Sequence, residues 1–133
     1  MVSYRIVLAN QHAPLRECLK RLLRETSSLE VVGEVGSGEG LLNLLKISSL
    51  VPHLVILDPF MPDFQGTEAI RKVKEVHPDV KVLILSMHRD KEYFSQAILN
   101  GAEGYLIQET VDKELLPAIE TIRQGRLYVP PFP

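Results

Sequence analysis

The sequence predicts an α/β fold, a doubly wound parallel sheet with helices on each face, and three observations lead there. Five short β-branched or apolar runs alternate with helix-length amphipathic segments. The runs are apolar almost throughout, as strands buried on both faces require. No internal repeat or low-complexity stretch breaks the alternation. Parallel strands joined by right-handed helical crossovers close into a doubly wound (βα)5 sandwich. The strand order expected is 2-1-3-4-5, with helices 1 and 5 on one face and helices 2, 3 and 4 on the other.

Each element has its own justification. Tyr4 to Ala9 reads as the first strand. The first helix runs from about Pro14, a residue suited to a helix start, to about Glu25, with Leu15, Leu19, Leu22 and Leu23 as its apolar stripe. Leu29 to Val35 is the second strand, closed by the turn Gly36-Ser37-Gly38, and Glu39 to Ser48 the second helix. His53 to Leu57 is the most apolar strand and so the central one. Pro59 to Gln65 is a loop whose prolines delay the third helix, Gly66 to Val76, which His77-Pro78 stops. Val80 to Leu85 is the fourth strand and Arg89 to Asn100 the fourth helix, ended by the left-handed cap signal Asn100-Gly101. Glu103 to Ile107 is the fifth strand. Asp112 to Gln124 is the last helix, with Gly125 after it and Pro117 inside, where a kink is expected. Residues 1–127 form one domain, and 128–133 (Tyr-Val-Pro-Pro-Phe-Pro) read as the start of a linker.

Composition narrows the function. A chain of 133 residues with 45% apolar and 24% charged residues suits one domain with one core. The net charge of −2 offers nothing to draw nucleic acid or an anionic membrane. Cys18 is alone and sits in an apolar helical pattern, so it reads as a small buried hydrophobe. There is no Cys/His cluster with zinc spacing, no signal peptide and no run long enough to span a bilayer, so a cytoplasmic protein without a membrane partner is expected. His53, His77 and His88 are expected to be exposed, and His12 to sit on the rim of any pocket.

In doubly wound folds the ligand site lies at the carboxyl ends of the strands. The residues there are Asn10-Gln11, Asp58, Ser86 and Gln108. Asp58 follows Leu54-Val55-Ile56-Leu57, and a carboxylate at the end of a buried strand must be hydrogen-bonded, metal-bound or functional. A loop cap is the plain reading; a phospho-acceptor or metal ligand is the sharper one.

The motifs around Asp58 are more specific. Asp58-Pro59-Phe60-Met61-Pro62-Asp63-Phe64-Gln65-Gly66, Leu85-Ser86 and Asn100-Gly101-Ala102-Glu103-Gly104-Tyr105-Leu106 together resemble the response-regulator receiver domain, a flavodoxin-like fold. Gln124-Gly125-Arg126-Leu127-Tyr128 is similar to the end of receivers that precede LuxR-type helix-turn-helix domains. The resemblance spans nearly the whole chain. It implies Asp58 as phospho-acceptor, Ser86 as donor to a phosphoryl oxygen, Tyr105 as a rotamer switch, and the Phe60 backbone carbonyl facing Mg²⁺. It also implies a histidine kinase as partner, a homodimer, and DNA contact only through a C-terminal helix-turn-helix domain outside this chain.

Three positions depart from the family pattern. Asn10 and Gln11 stand where two acidic residues usually hold Mg²⁺, and Gln108 stands where a lysine usually pairs with the phosphoryl group. Amide oxygens at Asn10 and Gln11 still coordinate, but they neutralise no charge, and Mg²⁺ relies on carboxylates for that. Phosphoryl transfer depends on positioning and on charge stabilisation of the equatorial oxygens. Each lost charged hydrogen bond removes roughly 1.5–3 kcal/mol. The three amides are expected to bond one another and Asp58, in a pocket with a weak or absent Mg²⁺ site. The preferred reading is therefore an atypical receiver that works by partner binding or dimerisation. The alternative is a conventional receiver phosphorylated on Asp58. An enzyme ranks last: an aspartate-nucleophile phosphatase wants an acid two residues on, where Phe60 stands, and Asn10-Gln11-His12-Ala13-Pro14 is no flavin phosphate loop.

Overall fold

A computed structural model describes residues 3–64 and 67–129 of the chain. Its elements are β1 (Tyr4–Ala9), α1 (Ala13–Leu23), β2 (Leu29–Val35), α2 (Gly38–Leu45), β3 (Leu54–Leu57), α3 (Glu68–Val76), β4 (Lys81–Ser86), α4 (Lys91–Leu99), β5 (Gly104–Ile107) and α5 (Val111–Arg123). Short 3-10 turns at Ser48–Leu50 and Gln108–Thr110 fill two of the connections. All neighbouring strands are parallel, in the order β2-β1-β3-β4-β5, as the alternating pattern predicts.

Side chains leave a strand alternately to its two faces, and here each face has its own core. Val7, Ala9, Val55, Leu57, Val82, Ile84 and Tyr105 meet Leu41 and Leu45 of α2, Ile70 and Val73 of α3, and Ala97 of α4. Ile6, Leu8, Leu54, Ile56, Leu83, Leu85 and Leu106 meet Leu15, Leu19 and Leu23 of α1 and Leu115, Ile119 and Ile122 of α5. The helices therefore divide between the faces as expected. Being buried on both sides, β3 is apolar at every position.

Boundaries shift by a residue or two where capping decides them. Asp90 caps α4 by accepting from the Tyr93 N–H at 2.9 Å, so that helix begins after Arg89. The second helix stops at Leu45 because Ile47 is extended, and a 3-10 turn follows. The first helix ends at Leu23, short of Glu25. The expected helix start at Gly66 lies outside the described residues; α3 begins at Glu68. Gly101 (φ 106°) and Gly125 (φ 83°) close α4 and α5 in the left-handed region, as read from the sequence. Pro117 lies inside α5 on its exposed side, where the N–H it lacks is missing from the solvent face of the helix.

Four expectations need correction. His53 is half-buried: its Nδ1 accepts from the Arg5 N–H at 2.8 Å, and its ring stacks on Tyr4 at 4.9 Å. His77 is half-buried too, with Nε2 2.7 Å from the Leu45 carbonyl. Both replace a ladder or helix-end partner that solvent would otherwise supply. Cys18 is only partly buried, being at the side of the α1 stripe. Tyr128, expected in a linker, is tied to the sheet. Its N–H donates to the Glu103 carbonyl (2.9 Å), its carbonyl accepts from Tyr105 N–H (3.2 Å), and its hydroxyl donates to Glu114 (2.7 Å). Residues 130–133 of the expected linker lie outside the described residues.

Candidate functional site

The backbone ladder delivers the site. Past the last paired residue of β1, the Asn10 N–H donates to the Val35 carbonyl at 3.0 Å. Past β3, the Asp58 N–H donates to the Ala9 carbonyl at 2.8 Å. Both side chains thus emerge at the carboxyl edge beside Gln108, which follows β5. There Asn10, Gln11, His12, Leu15, Asp58, Phe60, Leu85, Met87 and Gln108 line one cleft of about 490 Å³.

Asp58 is half-buried, and its Oδ1 accepts from the Phe60 N–H at 2.9 Å, an Asx turn that sets the following loop. That loop is pinned further along. The Asp63 carboxylate accepts from Gly38 N–H (2.8 Å) and Glu39 N–H (2.9 Å) at the start of α2, and these bonds hold its carboxyl below the usual range. A Cβ at Gly38 would come within 2.3 Å of the Phe64 ring. Neither contact was legible in the sequence, because both join segments 24 or more residues apart.

Asn10 is only 6% exposed. Its Oδ1 accepts from the His12 N–H at 2.8 Å, and its carbonyl accepts from the Arg16 guanidinium, which also pairs with Glu34. Gln11 is exposed and Gln108 half-buried. Among the described residues no hydrogen bond joins Asn10, Gln11, Gln108 and Asp58, contrary to the expected mutual network. The local turn at His12 claims the Asn10 oxygen first.

Ser86 and Tyr105 sit behind the cleft wall. Ser86 is 1% and Tyr105 0% exposed. The Ser86 hydroxyl donates to the His88 carbonyl at 3.2 Å and accepts from its N–H at 3.2 Å. The Tyr105 hydroxyl donates to the same carbonyl at 2.9 Å. One backbone carbonyl thus joins the two residues and holds the β4–α4 loop. An aromatic row leads outward from Tyr105 to Tyr93 (6.2 Å between centroids) and on to Phe60 (5.9 Å), while Phe94 meets Tyr105 edge-on. Burial raises the Tyr93 phenol pKa above its ordinary range, with Tyr105 and the Asp58 charge adding to it.

The comparisons fit this geometry. A family model described as the response regulator receiver domain matches residues 6–120. The chain belongs to the response regulator receiver family. As a receiver domain it is 36% identical over 126 residues to the transcriptional regulatory protein DegU of Brevibacillus brevis, covering 95% of the chain and 52% of that protein. It is 34% identical over 128 residues to the oxygen regulatory protein NreC of Staphylococcus carnosus, covering 96% and 58%. The chain therefore spans little more than half the length of these relatives. Among solved structures, a LuxR-family two-component response regulator from Aurantimonas superposes with a TM-score of 0.87 at 29% identity, over 95% of this chain and 89% of that one. The receiver domain of RcsB from Escherichia coli superposes at 0.90 with 22% identity, over 97% and 99%, a likeness of fold. Receiver domains are signalling modules that generally bind Mg²⁺ at the phosphorylation site.

Sequence reasoning missed the apolar half of the receiver's cleft: Leu15 was read as helix core, Leu85 as part of a strand-end motif and Phe60 for its backbone and its lack of an acid, and none of them, nor Met87, as cleft wall. The available signal was a phenylalanine three residues past one strand end and a methionine directly past another, both on the carboxyl edge where the ligand site lies.

Proposed function

We propose that this chain is the receiver domain of a two-component transcriptional regulator in which Asp58 phosphorylation and Mg²⁺ contribute little, and in which the domain acts by binding a partner or a second copy. One observation carries this reading: the donor set of the cleft. Among the described residues that line it Asp58 is the single carboxylate, and the Asn10 oxygen is already held by a backbone N–H. Among the described residues no cluster of three His, Cys, Asp or Glu side chains stands ready to hold a metal. A hard divalent ion wants an octahedral set of oxygens that brings negative charge, and these residues do not fit it. Asp58, Ser86 and Gln108 also offer a phosphoryl group no cation. The inward seat of Tyr105 is meanwhile filled by protein groups: the His88 carbonyl, Phe94 and Tyr93.

The chain's role is signalling rather than catalysis, in the cytoplasm, with a histidine kinase as possible input. Among the described residues no helix is long and apolar enough to cross a membrane. DNA contact belongs to a helix-turn-helix domain outside this chain, in line with the relatives' greater length and with the description of DegU as a transcriptional regulatory protein. Homodimerisation rests on the family resemblance and not on the apolar residues of α5, since Leu115, Ile119 and Ile122 are buried in the core and Leu116 is half-buried. Exposed Leu99, Leu127 and Val129 are the apolar groups left for contact near α4 and the end of α5. A conventional receiver is the second reading, favoured by an Asp58 carboxylate that opens to the cleft.

The test is an NMR titration with beryllofluoride and Mg²⁺. Small shifts confined to Asp58 and its neighbours are expected. Large, saturable shifts at Ser86, Met87 and Tyr105 would return phosphorylation to first place.

A further inference from the structure

The Asp58 cleft has a composition that suits neither a metal nor a phosphoryl group, yet it is built. Its walls are Leu15, Leu85, Phe60 and Met87, with Phe60 51% and Met87 68% exposed. Among the described residues its one carboxylate is Asp58, flanked by the neutral amides of Asn10, Gln11 and Gln108 and by the His12 imidazole at the rim. An anion finds no lysine or arginine in the lining; the nearby Arg16 is committed to Glu34 and the Asn10 carbonyl.

We propose that this cleft binds a small organic cation, an ammonium or amidinium on a flat apolar body. The inference rests on the reading that phosphorylation does not govern the pocket. A carboxylate beside an open aromatic ring is the pairing that attracts such cations, through charge-assisted hydrogen bonds and the negative face of the ring. Asp58 supplies the carboxylate, with Oδ1 fixed by the Phe60 N–H and Oδ2 left to accept. Phe60 supplies the ring, and Met87 the adaptable apolar cover. Asn10 is more than nine-tenths buried and gives the cleft a neutral part of its lining, with its oxygen taken by His12.

The same geometry provides a route to the signalling face. Phe60 touches Tyr93, and Tyr93 touches Tyr105. A flat group seated on Phe60 moves this row directly and so reaches Tyr105 without a phosphoryl group pulling on Ser86.

Benzamidine is the probe, titrated into the ¹⁵N-labelled 133-residue chain. Saturable shifts are expected at the Asn10 side-chain amide, Phe60, Met87, Gln108 and Tyr105, with a dissociation constant on the order of 1 mM, a scale suited to so small a ligand. Neutral benzamide should bind at least about tenfold more weakly, as should benzamidine to the near-isosteric Asp58→Asn variant, since a charge-assisted pair is lost. Phe60→Ala, in an exposed loop, should weaken binding, with spectral changes beyond the loop confined to the Tyr93 and Tyr105 row it touches. Equal binding of benzamide, equal binding to Asp58→Asn, shifts mapping elsewhere, or no saturation by about 20 mM would each overturn the proposal. A parallel beryllofluoride titration separates the two failures. A strong beryllofluoride response without benzamidine binding removes both readings, whereas silence to both ligands removes only this one.

Discussion

Replacing Tyr105 with Phe tests what holds the β4–α4 loop. The substitution deletes one hydroxyl from a fully buried ring and leaves the ring's packing against Phe94 and Tyr93 in place. The hydroxyl donates to the His88 carbonyl at 2.9 Å, but that carbonyl also accepts from Ser86 at 3.2 Å. The loss is therefore one hydrogen bond, about 0.5–1.5 kcal/mol, rather than the larger penalty of a stranded buried acceptor. For 133 residues at roughly 2 cal/mol/K of unfolding entropy each, about 1 kcal/mol lowers Tm by about 3–4 °C. Tyr105→Ala, which also empties the ring's place in the core, should cost about 3–5 kcal/mol. Urea denaturation measures both, and amide hydrogen exchange at Met87, His88 and Arg89 reports the loop. If Tyr105→Phe leaves stability and loop protection unchanged, the shared carbonyl does not hold the loop, and the link from Ser86 to Tyr105 fails.

Further perturbations follow from other contacts. Lys74 donates to the Glu103 carboxylate (2.7 Å) and the Val80 carbonyl (2.8 Å) in a mostly buried pair joining α3 to β4 and β5. Lys74→Met should cost about 2 kcal/mol by denaturation, the scale of a hydrogen bond to a charged group; a neutral result would show the pair contributes nothing net. Burial, with Arg5 and Arg123 adding to it, holds the His53 pKa below its ordinary value. The unfolded chain then takes up the proton first as pH falls, so stability present above about pH 6.5 is lost below it. His53→Asn should flatten that slope in thermal melts between about pH 7.5 and 5.5; an unchanged slope assigns it elsewhere. Asp58→Ala should leave the fold and any self-association intact, and low-millimolar Mg²⁺ should raise the Tm of the unaltered chain by under about 1 °C, since stabilisation follows occupancy. A rise of many degrees would show that the amides of Asn10 and Gln11 suffice as ligands.

Much of this was already written along the chain. Five apolar runs of strand length can be buried only in a sheet covered on both faces, so the parallel doubly wound class followed from patterning, and the strand order and division of helices from the receiver resemblance beside it. The ends of those strands placed Asn10, Asp58 and Gln108 at one edge, and the missing charges could be read directly from residue identity. Contacts between distant segments decided the rest, and neither periodicity nor propensity encodes them. His53 and Tyr128 were misplaced because their partners, Arg5 and Glu103, lie 48 and 25 residues away. The amide network failed because a turn two residues on competes for the Asn10 oxygen at far smaller entropic cost than a bond across the pocket. The aromatic row from Phe60 to Tyr105 was invisible for the same reason. It joins a loop, a helix and a strand whose side chains meet only once the sheet has brought them together.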